Sequence, residues 1–528
     1  MVVEAELKAS RELLEQSAAE VDNNTMQAEI GAAVDMLSDV QSLLDEMESS
    51  SAESRARNIL RGLGFSEEAS DGSYNRLSGG WQTRCTLACA LFQKVDLLLL
   101  DECTNFLDLP AIVWLQSYVV GITDSTVLIV THDRDFADAV ADELVLLREH
   151  SLETFRGNLS AYEIEQRKYR QYMTTMKEAQ NKKTKLMEAS IASNYASAKK
   201  TGDDKKLKQV VSRRKKLEER TGLEVNAKGG RFKLNRDRAG FQDSLRAEIE
   251  IPKMDSLVQI KIPNTPSDLR HPGALVSLEN LTCKYPRSKV ATLKDVTLVL
   301  HPGERAGIAG LNGAGKSTLV KCIAGADVQL VAGTIVRHPR AKIKTFSQHA
   351  VETLERKGIE NPTLSPLEEL LSTAEGALTE QEARGLLSGL GLSGRTVSDV
   401  SVAALSGGQK VRLELARLLY EPPHLLILDE VTTHLDADTV TAMIEALKGY
   451  QGALLVVTHD RFFMRSMVEG EPLDRDHDED EDYVEGTEYS SKPGVVYRLF
   501  KGQLKLLQGG MQQYEGIAER ASRKLLAV

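Results

Sequence analysis

The 528-residue sequence has no long hydrophobic run, since no stretch approaches the roughly 18 consecutive apolar residues that a membrane-spanning helix requires. Its N-terminus has no basic segment followed by an apolar core, so no secretory signal is expected. Cysteines are also few. Of Cys85, Cys89, Cys103, Cys283 and Cys322, only the first two are spaced i, i+4, and no second pair completes a zinc site. The sequence therefore predicts buried free thiols in a reducing cytoplasm.

Basic residues are fewer than acidic residues over the whole chain, which carries a formal net charge of −11. That balance excludes a protein that coats nucleic acid along its full length, so any basic patch must be local. Hydrophobic residues make up 41% and charged residues 27% of the chain, as in ordinary soluble proteins. The length is sufficient for two or more domains, each with a substantial core.

Three short motifs occur twice, and the copies lie 327 or 328 positions apart. The pairs are Leu77–Trp81 with Leu405–Gln409, Asp101–Glu102 with Asp429–Glu430, and Thr131–Asp133 with Thr458–Asp460. Such an internal repeat predicts two related α/β domains in tandem. We place the first domain at residues 1–160, a linker at 161–272 and the second domain at 273–528.

Apolar runs predict the strands that would position these motifs. In the first domain, the run Val95–Leu100 predicts a strand of a parallel sheet that is buried on both faces, and Thr126–Val130 repeats the pattern. Asp101 and His132 would then follow the carboxyl ends of these strands, where ligands bind in open α/β sheets. Residues 1–76 are expected to be helical. The second domain has predicted strands at Ala274–Leu278, Ala291–Leu300 and Arg305–Ile308.

The linker has a different composition from both domains. Residues 165–221 contain 17 Lys and Arg against 7 acidic residues, with many helix formers and no proline. This predicts two long helices joined near Thr201–Asp204, that is, a basic helical hairpin. It could be a solvated spacer, or it could contact a polyanion such as RNA, which the local charge favours.

Late in the chain the two copies realign at a larger spacing, since Gly157 and Tyr162 lie 352 positions before Gly509 and Tyr514. The change in spacing predicts an acidic insertion in the second domain near residues 468–492. A solvated loop is the simplest interpretation of such a charge run, and a regulatory or binding role is the alternative.

The strongest chemical signal is Gly310–Ser317, which fits the phosphate-loop pattern G-x-x-x-x-G-K-[ST] between a predicted strand and a helix. Its glycines allow backbone N–H groups to surround phosphate oxygens, while Lys316 reaches the β and γ phosphates and Ser317 can ligate Mg²⁺. The residues of this segment predicted to bind nucleotide are Gly310, Asn312, Gly313, Ala314, Gly315, Lys316, Ser317 and Thr318.

Five further residues are assigned roles by their order along the second domain. Asp429 ends a predicted strand and is placed to hold Mg²⁺. Glu430 is the candidate base for the attacking water, and His459 could bond the γ phosphate. Gln348 could contact both metal and water, and Tyr285 could stack on adenine.

This order of phosphate loop, Gln, Leu-Ser-Gly-Gly-Gln, Asp-Glu and His resembles the nucleotide-binding domain of ABC ATPases. Two such domains with a basic helical linker, and Leu77–Trp81 reading Leu-Ser-Gly-Gly-Trp, resemble the ABC-F family. The resemblance implies a P-loop fold, hydrolysis of ATP with Mg²⁺, and action on the ribosome in translation, with the linker contacting rRNA or tRNA. It also implies a monomer in which Ser78, Gly79 and Gly80 close the nucleotide site of the other domain.

The first domain departs from this pattern. By the repeat spacing, its phosphate loop would fall before Met1, so Glu102, His132 and Ser406 are expected to have no nucleotide to act on, and its sheet is expected to expose apolar surface. Within Val431–Asp436, Val431 and Thr433 stand where the family usually has Pro and Asn, and Cys103 stands where Pro is expected in the first domain. These departures bear on coupling between the domains. Two alternatives stay open: the soluble ATPase subunit of a membrane transporter, and a catalytically inactive relative of the family.

Overall fold

The computed structural model describes residues 34, 36–38, 49–105, 107–148, 150–202, 204–220, 260–270, 273–285, 290–325, 328–392, 394–472 and 493–526. The chain divides into two compact units, one formed by Met1–Phe136 with Gln259–Val528 and the other by Ala137–Val258. The first unit thus combines both copies of the repeated motifs. The boundaries at residues 160 and 272 that the sequence suggests stay predictions.

Strands and helices alternate through most of the described chain. The strands are β1 Leu97–Asp101, β2 Thr126–Val130, β3 Glu143–Arg148, β4 Ser151–Arg156, β5 Val276–Lys284, β6 Leu293–Leu300, β7 Arg305–Gly310, β8 Gln329–Arg337, β9 Ile343–Phe346, β10 Leu425–Asp429, β11 Ala453–Val457, β12 Val495–Phe500 and β13 Gln503–Leu507. The helices are Ser49–Gly62, Glu67–Ser70, Gly79–Phe92, Leu109–Val120, Arg134–Val140, Leu159–Thr201, Asp204–Arg220, Lys316–Ala324, Gln348–Glu360, Pro366–Ala374, Glu380–Gly389, Arg395–Ser398, Gly407–Leu419, Ala437–Lys448, Arg461–Met464 and Gly510–Leu526.

The second half is built on a six-stranded sheet in the order β13-β12-β7-β11-β10-β9. All neighbours are parallel except β12 and β13, and every residue of β7, β10 and β11 is buried. Strands covered on both faces need apolar residues throughout, as Leu425–Leu428 provides. A separate antiparallel sheet, β6-β5-β8, packs its apolar residues into the same core. The predicted strands of this half are confirmed, although β5 continues to Lys284 through register shifts.

In the first half the prediction of a strand buried on both faces was wrong. β1 pairs in parallel with β2 in a two-stranded sheet, and its residues alternate between exposed and buried. Leu97 and Leu99 are 54% and 63% exposed, whereas Leu98 and Leu100 are buried. The predicted exposure of apolar sheet surface in this half is therefore confirmed, because nothing in the described chain covers this face. The prediction of helix for residues 1–76 holds for Ser49–Gly62, while most of the preceding segment lies outside the described residues.

The last helix, Gly510–Leu526, joins the two halves. It follows β13 in sequence but packs against the first-half helices Leu109–Val120 and Ser49–Gly62. Tyr514 of this helix is buried to 2% exposure. Part of the core of the first half is therefore supplied by the end of the chain.

The smaller unit contains the antiparallel pair β3-β4 and the two long helices Leu159–Thr201 and Asp204–Arg220, which pack against each other. Asn158 caps the first helix through its side chain, and Gly202 ends it in the left-handed conformation, with φ at +65°. The prediction of two helices joined near Thr201–Asp204 is confirmed. Residues 221–259 of the linker and most of the acidic insertion, 473–492, lie outside the described residues.

All five cysteines are free, and their burial varies. Cys103, Cys283 and Cys322 are buried as predicted, but Cys89 is exposed and Cys85 only half-buried, so the prediction of buried thiols was wrong for that pair. Both lie on helix Gly79–Phe92, which is only partly covered. No helix in the described part of the chain is both long and apolar enough to cross a membrane.

The alternation of exposed and buried side chains in β1 can be tested with a matched pair of substitutions. Leu100→Ala should lower the free energy of unfolding by about 2–4 kcal/mol, because it leaves a cavity beside a buried strand. Leu99→Ala should change it by less than about 0.5 kcal/mol. The chain has two tryptophans, Trp81 and Trp114, both in the first half. Urea unfolding followed by tryptophan fluorescence therefore reports this half, and equal losses in the two variants would contradict the alternation.

Candidate functional site

The phosphate loop connects the end of β7 at Gly310 to the helix that begins at Lys316. Two of its glycines are required by their surroundings. A Cβ atom at Gly310 would lie 2.5 Å from the carbonyl oxygen of Leu499, and one at Gly315 would lie 2.9 Å from a Leu293 methyl carbon. Gly315 also has φ at +107°, which only glycine adopts without strain. At Gly313, by contrast, a Cβ would meet open space, so the loop faces a cavity there.

Lys316 is the charged centre of the site and is 7% exposed. Its Nζ donates to the Gly310 carbonyl oxygen at 2.9 Å, contacts Nε2 of His459, and lies 3.8 Å from a carboxylate oxygen of Glu430. Burial lowers the pKa of Lys316, and the nearby carboxylates of Glu430 and Asp429 act in the opposite direction. An anion entering the loop would meet a desolvated ammonium, where charge interactions are strong.

Glu430 and His459 reach Lys316 from the ends of neighbouring strands. Glu430 follows β10 in a left-handed conformation, φ +51°, and its N–H donates to the Val457 carbonyl at 2.8 Å. Its carboxylate lies 3.6 Å from Nε2 of His459, which is also 3.1 Å from Oδ1 of Asn312. Burial, and then the charges of Lys316 and Arg84, hold the pKa of His459 well below its ordinary value. The ring is therefore neutral at physiological pH.

The structure also locates most of the residues predicted to bind the metal ion and the adenine ring. Asp429 is the buried last residue of β10, and it lines the same cavity as Ser317. Carboxylate and hydroxyl oxygens are the ligands that Mg²⁺ prefers. The Tyr285 hydroxyl and the Thr318 hydroxyl lie 3.1 Å apart, and Tyr285 is 38% exposed. Gln348 begins helix Gln348–Glu360, but its side chain lies outside the described residues.

Both halves of the chain line one cavity of about 1400 Å³. The first half contributes the turn Ser78–Trp81, and the second contributes the loop that carries Lys316. A buried cation, an open glycine loop and oxygen ligands in one cleft fit a nucleoside triphosphate with its metal ion. Nδ1 of His459 is buried without a hydrogen-bond partner among the described residues, which leaves one polar atom of the site unused.

The repeat is preserved in the backbone of the first half. Glu102 has φ at +47°, its N–H donates to the Val130 carbonyl at 2.8 Å, and its carboxylate lies 3.5 Å from His132. These features reproduce those of Glu430 and His459. Glu102 and His132 line the same cavity, as does Gly407 of the second repeated turn.

Sequence reasoning missed Arg84. This arginine is 2% exposed, donates to the Leu63 carbonyl at 2.9 Å, and lies 3.8 Å from the carboxylate of Asp108. Its charge acts on both Lys316 and His459 across the cleft. The repeat contained a usable signal, because Arg84 and Arg412 are 328 positions apart, as are Asp108 and Asp436.

Comparisons with known proteins identify related sequences. Two family models, both described as ABC transporter, match the chain, one at residues 4–105 and 293–433 and the other at 145–233. The chain is 35% identical over 426 residues to the probable ATP-binding protein YheS of Escherichia coli (strain K12), covering 81% of this chain and 60% of that protein. It is 32% identical over 442 residues to ATP-binding cassette sub-family F member 3 of Mus musculus, covering 82% and 55%.

Among solved structures, one titled RNase-L Inhibitor is 19% identical and covers 90% of this chain and 73% of its own, with a TM-score of 0.49. The chain spans 55% to 60% of the length of the two curated relatives described above.

The environment of His459 predicts its titration. Because burial holds the pKa of His459 lower in the folded protein than in the unfolded chain, the ring should stay neutral where an ordinary histidine becomes protonated, and folding stability should decline as pH falls below about 6.5. NMR titration of the ring checks the first point, and urea unfolding at pH 7 and pH 5 checks the second. His459→Gln should lose less stability between these pH values. Lys316→Met should raise the pKa of His459, and a ring that titrates normally in the native protein would contradict the account.

Proposed function

This chain belongs to the ABC-F family, and we propose that it binds ATP with Mg²⁺ and hydrolyses it to ADP and phosphate in the cleft between its two halves. The observation that carries the proposal is the convergence of Lys316, Glu430 and His459 within 4 Å of one another, beneath a phosphate loop. ABC domains bind ATP, and the ABC transporter family model matches this chain in both halves, at residues 4–105 and 293–433. The curated relatives are longer than this chain. The proposal of ATP hydrolysis is therefore argued from these three residues and not from the activity of the relatives.

In the proposed reaction, the loop amides and Lys316 hold the β and γ phosphates, and Tyr285 stacks on adenine. Asp429, Ser317 and Gln348 would hold Mg²⁺, which when bound draws negative charge from the phosphate oxygens. Glu430 takes a proton from the attacking water as the γ phosphate is transferred to the oxygen of that water. His459, neutral because of its burial, donates or accepts a hydrogen bond without adding charge.

Ser78, Gly79 and Gly80 are proposed to close the site from the opposite side of the cleft. They begin helix Gly79–Phe92, and the first N–H groups of a helix have no partner within it. These groups favour an anion through the helix dipole as well. One chain would then complete its own site, which supports a monomer. A cytoplasmic location is proposed with it, on the resemblance to the ABC-F family.

We further propose that the basic helices bind the ribosome through rRNA or tRNA and that hydrolysis acts in translation. The support is the charge of residues 165–221, carried on two long helices in a protein of net charge −11. Most of these cations are solvent-exposed, so they are accessible to a polyanion. The family resemblance implies the same partner.

Glu430→Gln is the direct test of the chemistry. The variant should retain ATP binding but hydrolyse it roughly 10²–10⁴-fold more slowly, because an amide cannot accept the proton from water. Glu102→Gln, the same change at the repeat counterpart, should leave turnover within about twofold. Phosphate release and retention of labelled ATP measure the two effects. Unchanged turnover in Glu430→Gln, or equal loss in both variants, would refute the assigned role.

The partner proposal is tested by reversing three exposed charges on helix Leu159–Thr201. Lys177, Lys182 and Lys185 changed to Glu should weaken co-sedimentation with ribosomes and reduce the slope of log affinity against log salt by about 2–3. The matched control reverses three exposed lysines elsewhere, Lys501, Lys505 and Lys524, and should have little effect. Equal losses in both triple variants would indicate a response to net charge alone.

A further inference from the structure

Each copy of the repeated Thr-His-Asp motif is followed by an arginine, and the two arginines reach across to the opposite copy. Arg134 and Arg461 lie 327 positions apart, and so do Asp135 and Phe462. The guanidinium of Arg134 lies 4.9 Å from the ring centre of Phe462. In return, Nε of Arg461 lies 3.3 Å from a carboxylate oxygen of Asp135. These two contacts, here called the crossed arginine pair, are equivalent by the repeat, as in a two-fold interface between identical subunits.

The Arg461 contact of the crossed arginine pair is the centre of a larger ion-pair cluster. Arg461 also lies 3.8 Å from a carboxylate oxygen of Asp133. Arg465, four residues on, lies 3.8 Å from a carboxylate oxygen of Asp135 and pairs with Glu515 of the last helix. The side chains of Arg461 and Asp135 are only 11% and 15% exposed. Salt screens such pairs much less than surface pairs, and removing one partner leaves the other charge buried and unpaired.

Arg461 is also the cation that offsets two buried aspartates, one from each half. Asp133 and Asp460 are repeat counterparts, and their carboxylates accept from the N–H groups of Phe136 and Phe463 at 3.0 and 2.9 Å. Burial raises the pKa of both, that of Asp460 to about 6, and the charge of Asp133 adds to the rise at Asp460. Arg461 acts in the opposite direction on both carboxyl groups. Without it, carboxylates from the two halves would repel each other.

The crossed arginine pair lies beside the nucleotide cleft and not in its wall. His132 and His459, two residues before the arginines, line the cavity that contains Lys316. The described residues that line this cavity do not include the four residues of the crossed arginine pair. A bound nucleotide would therefore leave these contacts in place. Glu515 extends the cluster to the last helix, which packs against the first-half helix Leu109–Val120.

We propose that the crossed arginine pair is a hinge that holds the two halves together when no nucleotide is bound, so that the cleft is partly assembled before ATP enters. This role deepens the proposed function and rests on it for the identity of the nucleotide. A permanent contact beside the cleft makes closure an intramolecular event at high effective concentration. ATP then supplies less of the free energy of closure, and its apparent affinity rises with the fraction of molecules that are already competent to bind.

The test compares Arg461→Met, which removes the charge at similar length, with Arg461→Lys, which keeps it. Without nucleotide, the native protein and Arg461→Lys should give the same radius of gyration in X-ray scattering, and Arg461→Met should give a value about 1–2 Å larger. Arg461→Met should also bind a non-hydrolysable ATP analogue about tenfold more weakly, because the ligand must now drive closure. The analogue should return the radius of gyration of this variant to the native value.

Three further variants complete the comparison. Asp135→Asn, on the other half, should reproduce the expansion, and adding Arg461→Met to it should expand the protein little further. Arg134→Met should weaken analogue binding by about threefold, since a cation–π contact is worth less than a buried ion pair. Arg384→Met is the matched control, because it removes an arginine that pairs with Glu380 on the same helix of the second half. It should change neither the radius of gyration nor the affinity.

A radius of gyration that falls as much in the native protein as in Arg461→Met when the analogue is added would overturn the hinge. Unchanged dimensions in both Arg461→Met and Asp135→Asn would also overturn it. If Arg461→Met does not fold, Asp135→Asn and Arg134→Met carry the test. Failure of the proposed function is a separate result: neither the native protein nor any variant would bind the analogue, while the difference in nucleotide-free dimensions would stand.

Discussion

The ammonium group of Lys316 is almost completely removed from water, and the arrangement of the cleft follows from that burial. A buried cation is costly unless polar groups surround it. Here the groups come from three adjacent strands: the Gly310 carbonyl from β7, Glu430 after β10 and His459 after β11. The parallel order β7-β11-β10 brings their carboxyl ends to one edge. Burial, and then this positive charge, lower the pKa of His459, so the lysine helps to determine the charge state of its neighbour.

The repeat preserves the backbone conformation and backbone hydrogen bonds of the site more closely than the side-chain hydrogen bonds of its Ser-Gly-Gly turns. Glu102 and Glu430 both adopt the left-handed conformation, and each donates its N–H to the carbonyl of the last residue of the neighbouring strand. This shared backbone keeps a carboxylate at the strand end in either half. One difference lies in the residue after each Ser-Gly-Gly, where packing on Phe65 replaces a capping box. A duplicated backbone can therefore support two turns of different chemistry.

Features encoded by short contiguous motifs could be predicted from the sequence. The loop from Gly310 to Ser317, the strand ending at Asp429 and the helix junction near Gly202 each depend on local residue patterns, and the structure contains all three elements. The burial of β1 could not be predicted, because an apolar run does not specify what covers each face. Arg84 was missed for a related reason: its influence on Lys316 arises only from the tertiary approach of the two halves.

The packing of Gly510–Leu526 against helix Leu109–Val120 has a consequence for synthesis of the protein. The ribosome completes Val120 and then adds 389 residues before it reaches Gly510. At about 5–20 residues per second, that interval lasts roughly 20–80 s. Throughout it the face of helix Leu109–Val120 that packs against Gly510–Leu526 is without that partner, and chaperones have that window in which to engage it.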